Sequence, residues 1–435
     1  MSPHKSNLHH NRALALACAG LALGAALGCE GDLLTAEERA TLDGLRLAPL
    51  PPSPTNAMAD NADAAQLGHK FFFDPRFSGP LLEGSDPAMG GIGAKGTSGM
   101  VACATCHDPV RGGADPRSQS GVSLAAGWTG RNSPTVINAA HARWQFWDGR
   151  KDTLWSQALA PIESPVEQNT TRVHVARVIH KYYRPAYEAL FGVMPDMNAT
   201  RFPEDEQGRP GMAGFDAMSL EDKVAVNRVF ANFGKAIEAY ERLLIDKSSP
   251  FDRFMAGDQL AMSSAAIRGA KLFVGRAACN ECHNGPMMAD NKFHNHGVPQ
   301  IGAKVPSEDK GRAEGINKLL SDEFNSAGDY VDAARSGLLE GLRVADRDVG
   351  AFKTPTLRNV NKTAPYMHTG GFDSLWDVVL FYNDAAGTDG FSGMRAPASQ
   401  VALRLSNEDI ADLVEFLRAL DGDPLGPIAK APELP

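Results

Sequence analysis

Cysteine is scarce in this 435-residue sequence, and the few cysteines present exclude a disulfide framework. Four of the six form two Cys-x-x-Cys pairs, and the other two lie near the start of the chain. Cys18 falls inside an apolar run typical of a discarded leader, and Cys29 follows that run. No cysteine is then left outside the two pairs, which argues against a small disulfide-stapled scaffold.

Basic runs and alternating strand patterns are also lacking. The formal net charge is −9, and no cluster of Lys and Arg of the kind that follows a phosphate backbone is present, so nucleic acid is not an expected partner. Apolar residues make up 43% of the chain, which is enough for a sizeable core. Because strand-like alternation is rare and the middle is rich in Gly and Pro, the sequence predicts a mostly α fold with long irregular loops.

The apolar run at the start of the chain, residues 13–28, is too short for a comfortable membrane span. Two basic residues precede it and Cys29 follows it, so we predict an export signal over residues 1–29 and a periplasmic protein. Two outcomes stay open at Cys29. A lipid can be attached there, or the leader can be cleaved without lipidation, since Ala26 stands where a lipoprotein signal usually has Leu.

The rest of the chain divides into two parts around strong helix patterns. Residues 219–244 show a capping Ser219 and one apolar face, and residues 406–422 show a capping Ser406, an apolar stripe and a terminal glycine. The segment after the first of these helices is typical of a domain connection. We predict a proline-rich tether with a short helix over residues 30–59, an N-terminal domain over 60–247 and a C-terminal domain over 248–425.

Each predicted domain holds one Cys-x-x-Cys-His sequence: Cys103, Cys106 and His107 in the first, Cys279, Cys282 and His283 in the second. This is the attachment motif of haem c, in which two thiols bind the vinyl groups and the adjacent His ligates iron. A redox Cys-x-x-Cys with an incidental His and a four-cysteine zinc site are the alternatives. The repetition of the motif and the export signal favour two covalently bound haem c groups, in two cytochrome c-type domains in tandem.

Several further motifs, in order, resemble the bacterial di-haem cytochrome c peroxidase and MauG family. They are "LGHKFFFDPRFSG", "RNSPTVIN", "FWDGRKDTLWSQALAPIESPVE", "GKAIEAYERLL", "FKTPTLRNV" and "TAPYMHTGGFDSLWDVVLFYN", and with the haem motifs they span roughly residues 64–420. The general layout points to the MauG-like branch, or to the MbnH-like enzymes linked to methanobactin and paired with a small copper-binding partner. The resemblance implies a peroxidase that consumes H2O2.

In the family, a Gln, a Pro and a Glu lie over the iron of the first, peroxidatic haem. The matching residues are Gln157, Pro161 and Glu167. The resemblance implies that Glu167 is the general acid–base, that Gln157 orients peroxide or water and that Pro161 lines the pocket. Glu163 lies off the family position. A solvated surface carboxylate is the alternative interpretation of Glu167.

Many family members have a His shortly after the first haem motif, which covers the iron until the enzyme is reduced. No His occurs here between Asp108 and Ala140, so the first haem is expected to be open at rest, as in the MauG type. His141 is the nearest substitute, and an ordinary loop histidine is the favoured interpretation of it.

Two residues compete as the second ligand of the second, electron-transfer haem. Met367 is tempting because Met is a common ligand in electron-transfer cytochromes. The family position, however, is Tyr382, which is Met in peroxidases that wait half-reduced and Tyr in the MauG type. A phenolate favours higher iron oxidation states, so Tyr382 predicts an enzyme that stores two oxidising equivalents. A core aromatic is the alternative for Tyr382.

The resemblance also implies two links between the haems. Trp147 matches the tryptophan that couples them electronically. Asn132 through its side chain, with Thr363 and Pro365 through their carbonyls, match the ligands of a Ca²⁺ ion. MauG also has a tryptophan two residues before its second haem motif, through which it oxidises its substrate. That position is Ala277 here, so a protein substrate would need another route.

The sequence leaves three candidate functions. The first is a periplasmic di-haem peroxidase of MauG type that uses H2O2 to oxidise residues of a partner protein. The second is a cytochrome c peroxidase that reduces H2O2 to water with electrons from a small redox protein. The third, a non-catalytic di-haem electron carrier, is disfavoured because a closed haem needs no acid–base group such as Glu167.

Overall fold

The computed structural model describes residues 34–85, 91–117, 121–333, 335, 337–386 and 393–435. The predicted export signal and Cys29 therefore lie outside the described residues. The described chain is mostly helical, as predicted, with short 3₁₀ turns and long irregular connections. Eight helices precede residue 248: α1 (Ala36–Asp43), α2 (Ala62–Phe73), α3 (Cys103–Cys106), α4 (Leu154–Glu163), α5 (Arg172–Val178), α6 (Arg184–Phe191), α7 (Ala213–Asp216) and α8 (Leu220–Glu241). Five follow it: α9 (Pro250–Met255), α10 (Ser264–Val274), α11 (Arg312–Leu320), α12 (Leu375–Asn383) and α13 (Asn407–Arg418).

The first half is organised around α8, the long helix that the apolar periodicity predicts. Ser219 caps it, since its side chain accepts a hydrogen bond from the backbone N–H of Asp222. Helix α2 crosses α8 at Gly68, where a Cβ atom would lie 1.8 Å from the carbonyl oxygen of Ala236. Only glycine allows the two backbones to approach so closely. The crossing lies against a core that includes Phe71 and Phe233.

The second half repeats this arrangement with α10 and α13. Ser406 caps α13 by accepting from the N–H of Asp409, as predicted. A Cβ atom at Gly269 in α10 would lie 1.9 Å from the carbonyl oxygen of Asp412 in α13. Each half thus has one pair of helices that cross at a glycine, and each pair lies next to one Cys-x-x-Cys-His sequence.

The first and last segments of the described chain pack on opposite halves. Helix α1 places Leu42 in the core of the second half, and Arg358 donates a hydrogen bond to the carbonyl of Leu45. At the other end of the chain, Ile428 packs on the core of the first half and accepts a hydrogen bond from Tyr240. Residues 30–59 were predicted as a tether. From residue 34 onward the segment instead contacts both halves, since Asn56 also bonds to Lys235 and Glu238 in α8.

The boundary between the halves also differs from a simple division near residue 248. The segment after α11 packs on the first half, where Phe324 and Tyr330 enter its core. Glu323 pairs with the buried Arg172, and Asp332 pairs with Lys235. The predicted C-terminal domain therefore gives part of its own sequence to the first half.

Strands are few in the described residues. A two-residue antiparallel pair joins β1 (Phe293–His294) to β2 (Phe352–Lys353). The backbone N–H of Lys353 also donates to the carbonyl of Trp147, 2.7 Å away, which ties this strand to the first half. None of the described helices combines the length and the apolar character needed to cross a bilayer.

Candidate active site

The first Cys-x-x-Cys-His sequence forms a single helical turn, α3. The backbone N–H of His107 donates to the carbonyl of Cys103, which fixes the ring close to the two thiols. His107 Nδ1 lies 3.3 Å from the carbonyl oxygen of Gly113. An N–H donated to that carbonyl leaves Nε2 free to ligate a metal. Both thiols are free of disulfides, and burial lowers the pKa of His107, which favours the neutral, ligating form. These features fit a haem c.

The three residues predicted above the first haem lie together around one cavity. A space of about 480 Å³ is lined by His107, Gln157, Pro161 and Glu167. A smaller space of about 50 Å³ beside both thiols is lined by the same four residues. Neither the Gln157 nor the Glu167 side chain has a hydrogen-bond partner within the described part of the chain. They are therefore available to a small polar ligand in the cavity.

Glu163 differs from Glu167 in its surroundings. Its carboxylate pairs with the buried guanidinium of Arg172, at 2.8 Å between Oε2 and Nη2. The sequence distinguishes the two carboxylates by spacing alone, whereas the structure gives each a different environment. Glu163 is engaged in packing, and Glu167 lines the cavity.

His141 lies on the 3₁₀ turn Ala139–His141 and lines none of the cavities described here. Its Nε2 is buried without a partner among the described residues, and burial lowers its pKa. The structure does not bring this ring to the first cavity, in agreement with the favoured interpretation of a loop histidine.

The second Cys-x-x-Cys-His sequence has the same local design. Residues Cys279–Glu281 form a 3₁₀ turn, and the backbone N–H of His283 donates to the carbonyl of Cys279. His283 Nδ1 lies 2.9 Å from the carbonyl oxygen of Met288, so Nε2 again faces away from the backbone. A cavity of about 160 Å³ adjoins this ring. The residues fit a second haem c.

Both candidate ligands of the second iron line that cavity. Tyr382 extends from α12, and burial raises the pKa of its hydroxyl well above the ordinary value. Ligation of a metal would have to displace this proton. Met367 lies in a loop with a positive φ of 69° and also lines the cavity. Because both residues line the cavity, this observation alone does not identify Tyr382 or Met367 as the ligand.

Trp147 lies between the two haem cavities, as the resemblance implies. It lines the 480 Å³ cavity on the side of His107 and the 160 Å³ cavity on the side of His283. Its indole N–H donates to the carbonyl of Asn132 at 2.8 Å. This bond fixes the ring plane within the boundary between the halves.

The three predicted calcium ligands meet at the same boundary. Asn132, Thr363 and Pro365 all line the cavity of the second haem, and Asn132 Nδ2 donates to the carbonyl oxygen of Pro365 at 2.5 Å. A cation bound there would require the amide to turn its oxygen toward the carbonyls. The three residues thus line one cavity, with the amide nitrogen of Asn132 rather than its oxygen facing Pro365.

A repeat around the two haem cavities was not recognised in the sequence. The stretch from Asn132 and the stretch from Lys353 correspond at a constant separation of 221 residues. Their counterparts share unusual backbone conformations, as listed here: Asn138 and Asn359 (φ 62° and 61°), Phe146 and Met367 (66° and 69°), Gly149 and Gly370 (64° and 61°). Thr153 and Ser374 then cap α4 and α12 in the same way. The repeat can be recognised in the sequence from the similar motifs "NSPTVIN" and "KTPTLRN".

The repeat identifies the counterpart of Tyr382. At the same separation, Pro161 in α4 occupies the place that Tyr382 occupies in α12. Proline has no atom that can ligate iron, whereas a tyrosine hydroxyl does. The two halves therefore differ at the position from which a side chain would reach the second face of the haem.

One buried acid beside the first haem cavity was also missed. Glu241, at the end of α8, is 2% exposed and lines both spaces next to His107. Its Oε2 has no partner in the described chain, and burial, with a smaller effect of Glu238, raises its pKa to about 8. The sequence showed it only as the last turn of a helix.

Comparison with known proteins agrees with this site. A family model described as di-haem cytochrome c peroxidase matches residues 62–260. The chain is 33% identical over 405 residues to the cytochrome-c peroxidase IdrP2 of Pseudomonas sp. (strain SCT), covering 92% of each protein. It is 32% identical to the cytochrome c551 peroxidase of Pseudomonas aeruginosa, covering 82% of this chain and 78% of that protein. The methylamine utilization protein MauG of Methylophilus methylotrophus is 28% identical, with 86% of each covered.

Solved structures share the fold. A MauG-like protein associated with microbial copper homeostasis superposes with a TM-score of 0.59 at 24% identity, covering 89% of this chain and 98% of that one. The di-haem peroxidase BthA of Burkholderia thailandensis E264 gives 0.59 at 22% identity, covering 89% and 92%. The family implies two haem c groups and peroxide as the oxidant, and both fit the two sites above. From the extent of the similarity to the curated peroxidases, the chain belongs to the di-haem cytochrome c peroxidase family, and it is an H2O2-dependent oxidoreductase.

Proposed function

We propose that this protein is a periplasmic peroxidase of MauG type, which reacts with H2O2 in its resting diferric form and oxidises residues of a partner protein. The observation that supports this most is the pairing of Pro161 with Tyr382 in the repeat. It means that α4 offers no ligand to the first iron at the position from which α12 offers Tyr382 to the second. The missing His between Asp108 and Ala140 points the same way.

The residues around the first cavity suit proton transfer to peroxide. Cys103, Cys106 and His107 would hold the haem, which would supply the iron that reacts with peroxide. Glu167 can accept a proton from one peroxide oxygen and return it to the other, so that the O–O bond breaks and water departs. Gln157 orients the peroxide by hydrogen bonding, and Pro161 limits the space beside it. The whole reaction consumes two protons and two electrons for each H2O2.

The second site suits the storage and supply of electrons. Tyr382 is a hard, anionic donor when it is ligated, and such a donor stabilises the more oxidised iron. Trp147 lines both haem cavities, and its aromatic ring can carry an electron between them. A Ca²⁺ ion held by Asn132, Thr363 and Pro365 would fix this boundary. Ala277 is buried in the second core, so electrons from a partner protein must enter elsewhere.

A cytochrome c peroxidase that takes electrons from a small redox protein is the second candidate. It is favoured by the names of the relatives above 30% identity, which are cytochrome c peroxidases. The two candidates share the chemistry at the first haem and differ in the source of the electrons and in the need for prior reduction.

A stopped-flow experiment distinguishes the candidates. The diferric enzyme is mixed with one equivalent of H2O2 and followed by optical spectroscopy. We expect immediate consumption of peroxide and a long-lived optical change, and we expect Tyr382→Met to shorten its lifetime, because a thioether stabilises ferrous iron.

Met367→Leu is the matched control, since Met367 lines the same cavity. It should leave the spectrum of the second haem unchanged. Reaction only after one-electron reduction would rule out the MauG-type function and leave the cytochrome c peroxidase.

A further inference from the structure

Lys353 is a partly buried cation for which the described chain provides no counter-ion. It follows Phe352 in β2 and lines the 160 Å³ cavity beside His283 and a smaller cavity of about 50 Å³, which Trp147 and Tyr382 also line. Its ammonium group has neither a salt bridge nor a hydrogen bond among the described residues. Burial alone lowers its pKa, to about 8. An ammonium group that lines a cavity and has lost part of its hydration is stabilised by an anion placed in that cavity.

The anion has to come from what occupies the cavity. The cavity is the one beside His283, and the group that fits it is a haem c. Each haem carries two propionate carboxylates, on the edge of the ring remote from the two thioether bonds. Two acids close to this strand are already engaged, one of them Asp290, which accepts a hydrogen bond from Thr354. Asp290 pairs with His294 at 2.8 Å, and Asp348 bonds to the backbone N–H of Ala345.

The position of the Lys353 backbone indicates where a carboxylate paired with its side chain would lie. The N–H of Lys353 donates to the carbonyl of Trp147, so the lysine begins beside the residue that separates the two haem cavities. A carboxylate held by Lys353 would therefore lie on the side of the second haem that faces the first. The charge would act where electrons pass between the halves.

The repeat shows that this charge is present in one half only. At the separation of 221 residues, the counterpart of Lys353 is Asn132, which is neutral and donates to Pro365. A cation near a haem stabilises the reduced, less positive iron and raises its midpoint potential. The two haems thus differ in charge at corresponding positions.

We propose that Lys353 is a positioning residue that pairs with a propionate carboxylate of the second haem on the side of Trp147, and that it raises the midpoint potential of that haem relative to the first. This proposal rests on the proposed assignment of the second haem to Cys279, Cys282 and His283. The charge of Lys353 offsets the lower midpoint potential expected from ligation by Tyr382, so that a donor can still reduce the second haem.

The test is a spectroelectrochemical titration of Lys353→Met in the haem-loaded protein. We expect a lower midpoint potential for the second haem, a smaller change or none for the first, and near-wild-type values in Lys353→Arg. Lys292→Met is the matched control, because it removes the same charge from an exposed position close to the same strand. A variant without Cys279 and Cys282 identifies the signal of the first haem.

Resonance Raman spectroscopy gives a second readout through the bending mode of the haem propionates. That mode should shift in Lys353→Met and not in Lys292→Met. A potential of the second haem that moves no more than in Lys292→Met overturns the proposal, and so does an unchanged propionate mode. If Lys353→Met does not retain the second haem, Lys353→Gln takes its place under the same criteria. Failure of the proposed function would show instead as a diferric enzyme that does not react with peroxide.

Discussion

At the scale of the residue, two carboxylates four positions apart have different tasks. Glu167 lines the first haem cavity without a partner among the described residues, and Glu163 pairs with Arg172. We expect Glu167→Gln to slow the reaction with H2O2 by about 10²–10⁴-fold, the usual range for general acid–base assistance, because the amide cannot accept the proton. The rate is measured by stopped-flow mixing with the diferric enzyme.

Glu163→Gln is the comparison variant, and it should separate chemistry from stability. The rate with peroxide should stay near that of the wild type. The free energy of unfolding should fall by roughly 1–3 kcal/mol, since a buried guanidinium loses a charged partner. Equal rate losses in the two variants would remove Glu167 from its proposed role.

The residues differ in how far the sequence could predict them. The haem attachment residues follow from a short motif in which every position is chemically required. Gln157, Pro161 and Glu167 follow from the spacing of a resemblance, and the structure places them around one cavity. Lys353 and Glu241 could not be predicted as site residues, because Lys353 matters through the cavities that it lines and Glu241 through burial without a partner for its Oε2 among the described residues. Burial of that kind depends on contacts between distant segments.

At the scale of the element, the two helix crossings depend on glycine. We expect Gly68→Ala and Gly269→Ala each to lower the stability of its own half by about 1–3 kcal/mol or more, because the added methyl group would overlap a backbone carbonyl of the facing helix. Denaturant unfolding, followed through the absorbance of each haem, measures the effect.

Gly84→Ala is the control for this pair, since a Cβ atom there meets only one atom within 4 Å, the nitrogen of Lys95 at 3.9 Å. Its stability should change by less than about 0.5 kcal/mol. If Gly68→Ala and Gly84→Ala unfold alike, the crossing of α2 and α8 is not as close as described.

Elements were predicted best where periodicity and caps agree. Helices α8 and α13 begin at the predicted Ser219 and Ser406 because a hydroxyl, a first-turn acid and an apolar stripe all give the same answer. The short helix α4 was treated as a motif, since Pro161 lies inside it. The pair β1 and β2 has only two residues in each strand, too few for an alternating pattern.

At the scale of the whole molecule, the two terminal segments of the described chain are exchanged between the halves. The α1 segment packs on the second half, and the segment around Ile428 packs on the first. Removal of residues 426–435 takes away the acceptors of His69, Arg76 and Tyr240, at 2.8, 2.9 and 2.9 Å. At roughly 0.5–1.5 kcal/mol for each hydrogen bond, we expect the first half to unfold at a lower temperature, with the first haem reporting the change.

Removal of residues 34–45 is the reciprocal variant. It takes Leu42 and Leu45 out of the second core, so the second haem should report the loss. Thermal unfolding monitored at both haems measures the two variants together. Both deletions affecting the same haem would contradict the exchange of terminal segments.

The repeated motif predicts the division into two haem domains. It does not predict that the terminal segments of the described chain pack on opposite halves. Local patterns assign residues 30–59 to a tether because prolines cluster over residues 49–54, and nothing local indicates which half Leu42 will join. Phe324 and Tyr330 are likewise apolar residues in a loop, and Phe324 packs on Trp155 and Phe230, which lie far away in the sequence.

The exchange of terminal segments between the halves also affects when each half can complete its core during synthesis. The first half is synthesised first, yet its core needs Phe324, Tyr330 and Ile428, which are synthesised near the end of the chain. From outside its own sequence, the second half needs only the α1 segment, which is already made by then. The half that holds Cys103 and Cys106 cannot complete its core before Ile428 is made, so we expect its two thiols to stay accessible for haem attachment until almost the whole polypeptide exists.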